Sequence, residues 1–96
     1  MSAGTVYRLY VGTSIEIHEI TARLGAHGLP GATVFKGAGV WRGCAEPATV
    51  IELIEYSASL PNGPQLISPG VMAFARALAV EYGQECVLVT RQTLGA

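Results

Sequence analysis

The residues of this chain that could act as nucleophile, base or metal ligand are few and scattered. Two imidazoles, His18 and His27, and two thiols, Cys44 and Cys86, are the whole supply of those groups. Nucleophilic catalysis needs a base held within reach of an activated nucleophile, and no spacing here supplies such a pair. His18 falls off the apolar stripe Ile17-Ile20-Leu24 and is predicted to face solvent. His27, beside Gly28, suits a helix C-terminus, where a cationic ring meets the dipole favourably. Cys44 lies in a glycine-punctuated stretch near Arg42 and reads most simply as a passive loop thiol. Cys86, within Cys86-Val87-Leu88-Val89, reads as core. Acidity rests on seven Glu with no Asp, which excludes Asp-rich calcium and magnesium sites. Two histidines nine residues apart with isolated cysteines make no zinc pattern. The expectation is a protein without a catalytic set, a non-enzymatic one.

The segment Gly31-Ala-Thr-Val-Phe-Lys-Gly-Ala-Gly-Val-Trp-Arg-Gly43 is the most informative. Closely spaced glycines let a backbone approach an anion and aim its N–H groups at it. Lys36 and Arg42 bring positive charge, and Trp41 is the single tryptophan, a residue type that commonly anchors ligands or partners. The same glycines also suit a β-hairpin with a tight turn, and spacing alone does not choose.

These residues must be positioned by elements that the pattern makes legible. Residues 5–12 read as a strand. Thr13 and Glu16 form a capping-box pattern, placing a helix start at Thr13. Gly28-Leu29-Pro30-Gly31 ends that helix, and a second strand runs from about 31 to 38. Thr49–Tyr56 is a third strand, and Pro61-Asn62-Gly63-Pro64 breaks the chain within 57–67. Ser68-Pro69 caps a second helix, whose buried face is Val71, Phe74, Ala75, Leu78 and Tyr82 and whose end is Gly83. Cys86–Thr90 is the fourth strand. The β-α-β-β-α-β order predicts an α+β, ferredoxin-like sandwich over residues 1–96, a single domain with two helices on one face of a four-stranded antiparallel sheet.

Half the residues are hydrophobic and only 14% are charged, sparse cover for so small a chain. The predicted strands are apolar on both sides: Val6 and Tyr10 lie opposite Tyr7, Leu9 and Val11, Val50, Ile54 and Tyr56 lie opposite Ile51 and Leu53, and the fourth strand is apolar on both faces. Two helices cover one face only, so a symmetric oligomer is expected to cover the other. The net charge of −1 and scattered basic residues argue against a nucleic-acid partner. No apolar run reaches membrane-spanning length and no export signal is visible, which predicts a soluble, cytoplasmic protein.

Gly31-Ala32-Thr33-Val34 followed by Gly37 and Gly39 resembles the end of strand two and the start of the T-loop in the PII signalling superfamily. Trp41-Arg42-Gly43 with Glu46-Pro47-Ala48-Thr49-Val50-Ile51-Glu52 is similar, more narrowly, to the carboxysome-associated PII-like proteins. The resemblance implies a homotrimeric sensor in inorganic-carbon metabolism, binding ADP or AMP, with bicarbonate as a further ligand, in intersubunit clefts. It places Thr33 near the nucleotide base, Gly37 and Gly39 at the phosphates, and Arg91 where a neighbouring subunit closes the cleft. Trp41, Arg42 and Glu46 form the implied anion or bicarbonate site and loop switch. Ligand binding would order the 37–47 loop, through which a protein partner would be engaged. The sequence departs from the family in its short T-loop and in a B-loop reduced to Gly83-Gln84-Glu85. Two alternatives stand beside this reading: a CutA-like divalent-ion-tolerance trimer, and a dimeric ferredoxin-like enzyme using the sheet's open face as an apolar pocket near Trp41.

Overall fold

The computed structural model describes residues 3–57 and 68–94, arranged as β1 (Ala3–Val11), α1 (Ile17–Ala26), β2 (Thr33–Trp41), β3 (Cys44–Ser57), α2 (Pro69–Glu81) and β4 (Leu88–Leu94). The four strands form one antiparallel sheet in the order β2-β3-β1-β4, the ferredoxin-like arrangement expected from the element order. The Pro61–Pro64 break lies outside the described residues.

Strand alternation explains how the core is built. Tyr7, Leu9 and Val11 of β1 and Ile51 and Leu53 of β3 point to one face, where they meet Ile20 and Leu24 of α1 and Val71, Phe74, Ala75 and Leu78 of α2. The Ser68 hydroxyl accepts from the Val71 N–H at the start of α2, with Pro69 following, as its sequence predicts. The helix ends at Gly83, whose φ of 63° is left-handed. A polar seam ties the two helices: Arg23 pairs with Glu81 and lies 5.1 Å from the Tyr82 ring, whose hydroxyl donates to Glu19 Oε1 at 3.2 Å. His27 packs edge-on against Phe74 and His18 is exposed.

Four expectations are corrected. The capping box at Thr13 does not form: α1 begins at Ile17 after Glu16, which makes no side-chain cap. Residues 13–15 are held instead by buried Thr49, whose hydroxyl donates to the Thr13 carbonyl at 2.7 Å and accepts from the Ile15 N–H at 3.0 Å. Fully buried Ile15 therefore replaces exposed Ile17 in the core. Cys86 is exposed, because β4 starts two residues after it and the thiol precedes the ladder. The 37–47 segment is not a loop awaiting a ligand. β2 continues to Trp41 and β3 begins at Cys44, with only Arg42 and Gly43 between them. Both carry positive φ, 51° and 78°, the geometry of a two-residue hairpin turn matched to strand twist. No helix among the described residues is long and apolar enough to cross a membrane.

Candidate functional site

The face of the sheet away from the helices is lined by alternate residues of each strand. The register puts Gln92, Val6 and Ile54 in one row, Thr90, Arg8, Glu52 and Thr33 in the next, and Leu88, Tyr10, Val50 and Phe35 in a third. The outer rows are apolar apart from Gln92 and the tyrosine hydroxyl. Tyr10, Phe35, Ile54 and Leu88 are all exposed large hydrophobic residues. Val6, by contrast, is only 4% exposed beneath its neighbours. The middle row is the chemically distinct one.

There Arg8 Nε donates to Glu52 Oε2 at 2.9 Å, and Arg8 Nη1 donates to Gln92 Oε1 at 3.2 Å. The central strands β1 and β3 supply the ion pair, directly opposite one another, so the backbone ladder fixes its position. Both charged side chains are half-buried among apolar neighbours, where the pair is screened less than an ordinary surface pair. Thr33 and Thr90 close the row with hydroxyls at its two ends. The arrangement offers a carboxylate for a cation, a guanidinium for an anion, and flat aromatic surface beside both.

Sequence reasoning missed Arg8, Glu52 and Gln92. The available signal was a charge flanked on both sides by apolar residues in each of two strands. Arg8 stands between Tyr7 and Leu9, and Glu52 between Ile51 and Leu53. Only the register reveals that these charges are partners.

Of the residues singled out from sequence, Thr33 alone lies in this polar row. Gly37 and Gly39 are strand residues facing Ala48 and Glu46. Arg91, opposite Tyr7, belongs to the helix-covered side of edge strand β4, where its Nη1 lies 3.5 Å from Thr93 Oγ1. Thr33 and Arg91 thus occupy opposite edges and opposite faces of the sheet, and one chain does not bring them together. Arg42 lies over the Trp41 ring at 5.6 Å, at the hairpin tip. The Glu46 carboxylate reaches toward Gly12 instead, coming within 3.0 Å of where a Cβ on Gly12 would stand. Lys36 turns to the helix side and donates to the Ile15 carbonyl and to Ser14 Oγ. Among the described residues no cluster of three or more His, Cys or acidic side chains is placed to hold a metal ion.

No known family and no curated protein matches the chain. Among solved structures, a phage SAM lyase in its apo state superposes with a TM-score of 0.69 at 23% identity, over 95% of this chain and 81% of that one. A de novo designed protein, Foldit4, covers 100% of this chain at 9% identity, with a TM-score of 0.40. The first likeness fixes the fold and corrects one expectation. That solved structure is a lyase of the same fold, so the scarcity of histidine and cysteine chemistry gives no ground for calling this protein non-enzymatic.

Proposed function

We propose that this chain is a lyase acting on S-adenosylmethionine, with the open sheet face around Arg8, Glu52 and Gln92 as its site. The observation that carries the reading is the Arg8–Glu52 ion pair, joined by Gln92 from the neighbouring row and set into an apolar face, on a fold that matches a SAM lyase over 95% of this chain. The substrate's groups match that face. Its sulfonium and ammonium are cations suited to Glu52. Its carboxylate suits the planar fork of Arg8. Its adenine suits stacking on exposed Tyr10 or Phe35. An adenosine-bearing ligand is also the part of the ADP or AMP expectation that this reading retains.

The chemistry explains why no conventional catalytic set is needed. In a lyase the carbon–sulfur bond breaks as a new bond forms within the same substrate molecule, and the sulfonium sulfur leaves with the bonding pair as a neutral thioether, so neither water nor a redox partner is consumed. The protein's task is then to orient the reacting atoms, balance their charge and exclude solvent. Two carboxylate oxygens, a guanidinium and an amide held by a rigid ladder can do this. Covering the face from water falls to the homo-oligomer expected from the two-sided apolar strands.

Incubating the purified protein with S-adenosylmethionine, with products resolved by mass spectrometry, tests the reading. The expected products sum in mass to the substrate with no added water, and Glu52→Gln should slow their formation at least about 100-fold, as for loss of a key electrostatic group. An intact substrate after prolonged incubation with the wild-type chain would sink the proposal, and so would undiminished turnover by Glu52→Gln.

A further inference from the structure

β2 and β3 run on past the rest of the sheet. The last residue pair joining β3 to β1 is Val11 with Thr49, yet β3 extends back to Cys44 and stays paired with β2 to Trp41. Residues 37–48 thus form a two-stranded ribbon with no third strand. A two-stranded ribbon has no core of its own and is marginal unless something packs on it. At its tip Val40 is 76% exposed and Trp41 is 64% exposed.

By strand alternation Trp41 lies on the same side as Thr33 and Phe35, the open face. It cannot serve its own chain's site. Cys44, its register partner, is eight residues from Glu52 along β3, a distance of about 27 Å at ~3.4 Å per residue. The five-residue overhang before Thr49 measures about 17 Å by the same rise, and three strand spacings across the sheet come to about 14 Å. The ribbon is therefore long enough to lie across the open face of another copy. That face presents what the tip lacks: exposed Tyr10, Phe35, Ile54 and Leu88 around a polar row that only a cover can desolvate.

We propose that Trp41 of one copy seats on the open face of a second copy and completes the site around that copy's Arg8 and Glu52. The occupant is another copy of this chain, because tip and face are each exposed, apolar and too far apart to meet within one chain. The role of the completed site rests on the lyase reading; the seating of Trp41 does not.

Trp41 is the single tryptophan, so its fluorescence reports this contact without any ligand. At micromolar concentration the expected emission is blue-shifted, moving to that of a solvated indole on dilution, in step with the fall in mass to the monomer. Ile54→Glu, on the open face, should red-shift it in the undiluted protein. Ile54→Val should not, which controls for misfolding. Solvated emission in an intact oligomer, or blue-shifted emission indifferent to Ile54→Glu, would overturn the proposal. A second arm tests the site itself. Trp41→Ala and Glu52→Gln chains, each impaired, should regain turnover of S-adenosylmethionine when mixed and reassembled, since some sites then draw both wild-type residues from different copies. Persistent loss of turnover on mixing overturns the shared site if the wild type is active. A wild type without turnover but with seated Trp41 defeats only the lyase reading.

Discussion

At the scale of single residues, two polar side chains do work that their types alone do not announce. Thr49 is fully buried in a strand and satisfies one donor and one acceptor of the β1–α1 connection. Thr49→Val keeps the shape and removes both bonds, leaving the Ile15 N–H and the Thr13 carbonyl unmatched. The expected loss is about 1–3 kcal/mol in urea unfolding, with Thr49→Ser close to wild type. Tyr82 makes a second case. Burial of its phenol, then its hydrogen bond to Glu19, raise its pKa above the ordinary 10.0, against a smaller opposing effect of Arg23. A raised folded-state pKa means that the folded form holds the proton more tightly. Its stabilising contribution is complete at neutral pH and is lost as pH climbs through the alkaline range above about 10. Tyr82→Phe should flatten that alkaline decline in thermal melting curves, and an unchanged decline would assign it to other groups. Arg8 and Glu52 were visible as charges flanked by apolar strand residues, but such a strand charge usually points to solvent. Only the pairing across β1 and β3 turns them into a site.

At the scale of elements, periodicity carried most of the fold. The second helix, its Ser68 cap and its buried face follow directly from spacing, as does the order of strands and helices. Two of the misreadings share one cause: a local signal was overruled by a partner elsewhere in the fold. The Thr13–Glu16 pattern is a sound helix start, yet Thr49, thirty-six residues away, takes the Thr13 carbonyl and delays the helix to Ile17. Gly37 and Gly39 suggest a loop, yet β3 pairs with both of them and leaves only Arg42-Gly43 as the turn. Arg42 holds a left-handed φ of 51°, which a side chain with a Cβ tolerates poorly. Asparagine accepts that conformation more readily, so Arg42→Asn should stabilise the ribbon by up to about 1 kcal/mol. Slower amide exchange across residues 37–48 is the expected readout, and unchanged exchange would show that the turn does not limit ribbon opening.

At the scale of the whole molecule, the sequence by itself determined the α+β class, the element order, the helix-side core and the surplus of apolar strand surface. Those properties depend on residue type at short spacing, which a linear chain displays. The tertiary structure decided which strand residues become neighbours. It placed Thr33 and Arg91 on opposite faces and edges, carried Trp41 to the end of a projecting ribbon, and set Arg8 against Glu52 and Gln92 from strands far apart in sequence. Register is the physical reason. A shift of one residue in any ladder would turn every side chain of that strand to the other face, and register is set by the sum of pairings along the sheet. The apolar surplus was thus legible from the first, while the polar row at its centre, and with it the proposed chemistry, came into being only when the sheet closed.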